Sequence, residues 1–303
     1  MYEQISANKR RSVLLVAGFV VLLLAVAWAV DLILGYGVAG LAVAVAVVGV
    51  TTFVGWWKSD AIALRMSHAR PADPERYARL HNLVEGLCIA AGLPKPGVYV
   101  IDDPAPNALA TGRSPRHAAV AVTTGLLDRM SRIELEGVLA HELSHVKNYD
   151  ILTSTLAVTF VGVVALMADF TLRFVWWGGP RQRDHDRGGG PGPAAILGVV
   201  GFGLLLLAPL AARGMQFAVS RRREALADFT GVSLTRYPPG LISALEKLKD
   251  DSTVVHSGSR ATAHLWIESP LARTPEQGRL AWLNRLFDTH PPLEERIQAL
   301  KEL

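Results

Sequence analysis

"EGVLAHELSHVKNYD", residues 136–150, sets two histidines four positions apart, His141 and His145, with Glu142 directly after the first. Upstream, Ser131 followed three positions later by Glu134 has the pattern of a capping box, so the spacing predicts a helix that opens at Ser131 and carries the histidines. Four residues turn a helix by about 400°, which leaves both imidazoles on one face and able to reach a single ion. Glu142 then points to the side of the pair, where a carboxylate can take a proton from a water near that ion without becoming a ligand. Neutral imidazoles suit a borderline ion such as zinc, one per chain, and a catalytic zinc takes three protein ligands. The third must come from elsewhere in the chain.

The chain around this motif is rich in apolar residues: 50% of its 303, with a mean hydropathy of +0.27. Residues 12–30 carry no charge and can cross a hydrocarbon core of roughly 30 Å at about 1.5 Å per residue. A second uncharged run, 36–57, ends in Trp56 and Trp57, with Lys58 beyond, an edge suited to the bilayer interface. Residues 1–57 thus read as an N-terminal transmembrane hairpin, uncleaved because a second span follows at once. Lys9, Arg10 and Arg11 precede it, Lys58, Arg65 and Arg70 follow it, and its connection has no Lys or Arg. Both of its ends therefore belong in the cytoplasm. The lone Cys88 makes no internal disulfide, and a formal charge of +4 without a basic, aromatic stripe argues against nucleic acid as a partner.

Residues 58–150 read as the first part of a cytosolic domain. Asp73 and Pro74 open a helix with apolar positions at Tyr77, Leu80, Val84, Leu87 and Ala91, stopped by Gly92 and Pro94. "GVYVI" (97–101) and "HAAVAV" (117–122) are strands, with a turn-rich stretch between them. Two more apolar runs, 151–172 and 194–212, form a second hairpin over 151–213 around a Gly-, Pro- and Arg-rich linker. If both cross, or neither does, residues 214–303 return to the side of His141. Arg173, Arg181, Arg183 and Arg187 in the linker run against the positive-inside bias, and Asp169 lies near the end of the third run. His185 in that linker reads as solvated. In "SRRREALADF" (220–229), Glu224 and Asp228 share a helix face. They are either a third ligand and a carboxylate supporting an imidazole, or one solvated charged face.

"NALATG" (107–112), "AVAVTTGLL" (119–127), "LAHELSHVKNYD" (139–150), "SRRREALAD" (220–228), "HLWIESPL" (264–271) and "THPPLEERIQAL" (289–300) stand in the order and spacing of one family. The chain resembles the HtpX-type membrane zinc metallopeptidases, relatives of the CAAX prenyl proteases. The resemblance implies a mostly α fold with a small β-sheet, a multi-span integral membrane protein with a cytosolic gluzincin-like zinc protease domain. His141, His145 and Glu224 would be the zinc ligands, Glu142 the general base and then acid, and Asp228 the support of a ligand imidazole. Asn107, Ala108, Leu109 and Ala110 would form an edge strand pairing with the substrate backbone. Leu109 stands where these proteins often carry Phe. His290, otherwise a turn residue before two prolines, would stand near the cleft and stabilise the oxyanion. His264 and His117 read as structural. The implied substrates are misfolded membrane proteins or unfolded polypeptides, cleaved in quality control at a bacterial plasma (inner) membrane, with the active site facing the cytoplasm.

Two other classes compete. An intramembrane protease would carry its motif on an apolar helix, whereas Glu134, Glu136, Lys147, Asn148 and Asp150 flank this one. A non-catalytic, zinc-stabilised sensor or binding module would have no use for Glu142 and would close its site with a fourth protein ligand.

Overall fold

The structure is a computed structural model that describes residues 2–34, 37–159, 221–258, 262–270 and 291–303. The second hydrophobic hairpin, apart from its first residues, and His290 lie outside the described residues, as does the linker with His185.

Helix α1 (Tyr2–Leu34) and helix α2 (Gly37–Trp57) form the N-terminal hairpin. The first helix is longer than the uncharged run of 12–30, since it also includes Lys9, Arg10 and Arg11. Phe19 and Leu23 of α1 and Val48 of α2 pack with Leu156 of a later helix, α7, described over 150–159. The outward faces remain apolar: Val13, Leu14, Val21, Val38, Val43, Val50 and Phe53 are all exposed. Counted over the described residues alone, no helix is long and apolar enough to cross a membrane. By sequence and backbone length, α2 is 21 uncharged residues, about 31 Å.

After α3 (Ser59–Met66) come a short strand β1 (Arg70–Pro71) and helix α4 (Ala78–Ala91). Asp73 caps a turn before α4 rather than the helix itself, its Oδ1 accepting from the backbone N–H groups of Glu75 and Arg76. Gly92 ends α4 in the left-handed conformation, φ 68°, that a residue without Cβ adopts at least cost. Strands β2 (Gly97–Ile101), β3 (Ala108–Ser114) and β4 (His117–Thr123) complete a four-stranded sheet in the order β1-β2-β4-β3. Strands β2 and β4 are parallel and β3 runs antiparallel at the edge. The stretch from Ala108 to Ser114, turn-rich by composition, is thus a strand, because pairing with β4 buries it.

Alternation splits β4 between two cores. Val120 and Val122 face the main one with α4, α6 (Arg132–Lys147) and the C-terminal helices; Ala119 and Ala121 face a second with Leu109, Leu265 and Trp266. Short helix α5 (Thr124–Arg129) leads into α6. Both halves of the capping box are made: Ser131 accepts from the Glu134 N–H, and Glu134 accepts from the Ser131 N–H at 2.8 Å. A cap of this kind contributes about 1 kcal/mol. Helices α8 (Arg221–Thr235), α9 (Pro238–Asp250) and α10 (Leu293–Lys301) pack around α6 and one another.

Candidate metal centre

Helix α6 is buried through most of its length, which is unusual for a segment with this much charge. His141 and Glu142 are 0% and 1% exposed. Helix α8 crosses close to α6 because Gly231 sits at the contact: a Cβ there would lie 3.0 Å from the His141 backbone nitrogen. That approach carries Glu224, two turns earlier on α8, to the histidine pair.

The Nε2 atoms of His141 and His145 face each other at 3.2 Å. Glu224 Oε2 is 3.7 Å from His141 Nε2, and Glu224 Oε1 is 3.6 Å from His145 Nε2. Donors about 2.0–2.1 Å from a tetrahedral ion stand roughly 3.3–3.4 Å apart, so the triangle matches the size of a zinc shell. Among the described residues this trio is the group able to hold a metal ion, its ligand atoms all within 4.8 Å of one another. The pocket in front of it is lined by Glu142, Ala110, His264, Leu265 and Trp266 among others.

Each imidazole is oriented from behind. His141 Nδ1 lies 2.8 Å from Asp228 Oδ1 and donates to it, leaving Nε2 free for a metal. Asp228 is in turn gripped by Arg296, whose Nε and Nη2 donate at 2.9 and 2.7 Å. Arg296 Nη2 is also 3.3 and 3.4 Å from the two His141 ring nitrogens. Near-equal distances place the guanidinium over the ring face rather than in its plane, so the Asp228 bond is the one that sets the tautomer. His145 Nδ1 pairs at 3.1 Å with Asp150, at the start of α7.

The electrostatics fit a cation. Burial, then the Arg296 charge, lowers the His141 pKa, which keeps the ring neutral as a ligand must be. For His145, burial works against protonation, but the carboxylates of Glu224, Asp150 and Glu142 outweigh it and raise the pKa to about 9. The same carboxylates give the site the negative surroundings that a bound cation needs. Against burial, Arg296 and His141 hold the Asp228 pKa below the usual carboxylate range.

The residues singled out from sequence thus fall into three groups. His141, Glu142, His145, Glu224 and Asp228 converge. Ala110 lines the pocket, but Asn107, Ala108 and Leu109 are covered by the chain's own segment 265–268. Ile267 N–H donates to Ala108 O at 2.9 Å, Leu109 pairs with Trp266, and Asn107 Nδ2 donates to Glu268 O at 2.9 Å. His264, read as structural, is held by Ser154 O at 2.9 Å and also lines the pocket. His117 stays exposed, beside Ser114. Asp150 and Arg296 were missed; for Arg296 the visible signal was a basic residue on the face of α10 shared by Leu293, Ile297 and Leu300.

The model for peptidase family M48 matches residues 74–303, which include both halves of the site. The chain belongs to peptidase family M48. It is a metallopeptidase. A "Protease HtpX homolog" of Caldanaerobacter subterraneus subsp. tengcongensis is 41% identical over 305 aligned residues, covering 100% of this chain and 98% of that protein. One from Limosilactobacillus fermentum is 43% identical over 307, covering 100% of both. Among solved structures, S. mikatae Ste24p matches 90% of this chain and 66% of its own, at 20% identity and a TM-score of 0.44.

Proposed function

We propose that this M48 peptidase is a zinc endopeptidase anchored in a bacterial inner membrane, with its site in the cytosol and misfolded or unfolded polypeptides as substrates. The observation that carries the reading is the convergence of His141, His145 and Glu224 on one point, with Glu142 in the same pocket. When bound there, zinc supplies a Lewis acid for the scissile carbonyl and an acidified water. Glu142 takes a proton from the attacking water and returns it to the leaving amine. His141 and His145 stay neutral ligands, and Glu224 contributes the one ligand charge. His290 is proposed as the oxyanion donor.

The exposed apolar faces of α1 and α2 support two bilayer crossings, and the second hairpin is proposed to return the chain to the same side. The unit boundaries proposed from sequence, 1–57, 58–150, 151–213 and 214–303, follow from that topology. A substrate main chain paired with Ala108–Ala110 occupies the place taken here by Leu265–Ile267, so the two arrangements exclude each other. The sensor reading has no use for Glu142 in a buried pocket.

The test is cleavage of casein by detergent-solubilised protein with zinc and a chelator control. Glu142→Gln should retain zinc while the rate falls by about 10²–10⁴. Turnover by that variant at the wild-type rate would remove Glu142 from its role.

A further inference from the structure

Asp150, which holds His145 from behind, is itself held by a residue from the other end of the chain. Asn8 Nδ2 donates to Asp150 Oδ1 at 2.7 Å and to Asn148 O at 2.9 Å. Two oxygen acceptors on one amide nitrogen fix which end of the amide is which, and both of its N–H groups are used. Asn8 is 2% exposed although it lies on α1, ahead of the apolar run. The corner it enters is the tight turn between α6 and α7, where Tyr149 adopts φ 60° and sends the chain back toward His145. Other contacts fasten α1 to the same corner: Ser12 Oγ lies 3.0 Å from Thr153 Oγ1, and Lys9 Nζ stands 4.7 Å over the Tyr149 ring.

We propose that Asn8 is a positioning residue for the metal: acting through Asp150, it fixes the His145 ring and so makes metal retention depend on this one side chain of α1. A carboxylate aimed at an imidazole is held more firmly when its other oxygen is hydrogen-bonded as well. Asn8 occupies that oxygen. Arg223 Nη1 is 3.8 Å from the same oxygen. Without the amide, Asp150 can turn toward Arg223 and release His145 Nδ1, and the ring loses the orientation that presents Nε2 to the ion. Asn8 thus acts on the site across 142 positions of chain. The inference rests on the zinc reading proposed above.

The experiment uses the full chain in detergent, with zinc affinity measured by competition with a chromophoric chelator and the ligand field read from the visible spectrum of the Co²⁺ form. Wild type should bind one equivalent, and His141→Ala should abolish binding; if it does not, the zinc reading fails, not the Asn8 link. Asn8→Ala should weaken zinc about tenfold, at the low end for residues supporting a ligand, and shift the Co²⁺ bands. Asn8→Asp should weaken it further, since two carboxylates then meet. Ser12→Ala removes a contact between the same two elements without touching Asp150, and should leave affinity within about twofold of wild type. Unchanged affinity in Asn8→Ala, or equal losses in Asn8→Ala and Ser12→Ala, would overturn the proposal and reduce Asn8 to a docking contact.

Discussion

His141 and His145 stand one turn apart on the same helix, but different parts of the protein hold them. His141 is enclosed, its side chain 1% exposed, with Asp228 and Arg296 from two C-terminal helices stacked behind it. His145 is 16% exposed and leans on Asp150, which reaches on to α1. The first arrangement is a closed ion-pair stack whose members have no solvent to retreat to. The second is a relay that ends in the hydrophobic hairpin. One half of the site is therefore held within the core, and the other reaches through Asp150 to α1.

Disrupting the enclosed half should have the largest effect. Asp228→Asn removes the negative charge from between His141 and Arg296 and leaves the buried guanidinium without its paired carboxylate. Zinc affinity should fall 10- to 100-fold and stability by about 3–5 kcal/mol, read by chelator competition and thermal melts. A melt unchanged from wild type would mean that Arg296 is solvated after all.

Gly231→Ala probes the gap that both halves share. On an exposed helix this change gains about 1 kcal/mol, but here the new Cβ meets the His141 backbone at 3.0 Å. Helices α6 and α8 must part by a few tenths of an ångström, so zinc should bind several-fold more weakly. Tighter or equal binding, with a higher Tm, would show that the crossing is looser than described.

The smallest effect on the metal should come from Glu134, at the far end of α6. Hydrogen bonds from Lys247, Ser243 and Ser131 outweigh burial and lower its pKa to about 2. A carboxylate with a depressed pKa contributes stability that is present above about pH 4.5 and lost as pH falls toward 2. Glu134→Gln should therefore lower the Tm at pH 7 and flatten the acid limb of the Tm profile between those values, while zinc affinity stays at wild type. A loss of zinc in that variant would erase the distinction between the cap of α6 and the site it carries.

In both halves the sequence made the local patterns far more legible than the long-range contacts. The Ser131–Glu134 box, the His141–His145 spacing and the Glu224–Asp228 pair are local patterns set by the 3.6-residue period, and all three appear where the period puts them. Arg296 meets Asp228 across 68 positions and Asn8 meets Asp150 across 142, and no periodicity encodes such meetings. Strand β3 is a milder case. Its Ala-Leu-Ala-Thr-Gly has little strand preference of its own and becomes a strand by pairing with β4, while the cover over its edge comes from residues 265–268, far along the chain. Asp150 stands just past the end of the motif helix, and only the left-handed turn at Tyr149 brings its carboxylate back to His145.

The most direct test is X-ray absorption at the zinc edge, on protein loaded with one equivalent, for wild type and Glu224→Ala. Wild type should show two imidazole nitrogens and carboxylate oxygen around a four-coordinate ion. The variant should lose most of its zinc on dialysis. Full zinc retention with an unchanged spectrum in Glu224→Ala would contradict the joint grip of α6 and α8 on one ion.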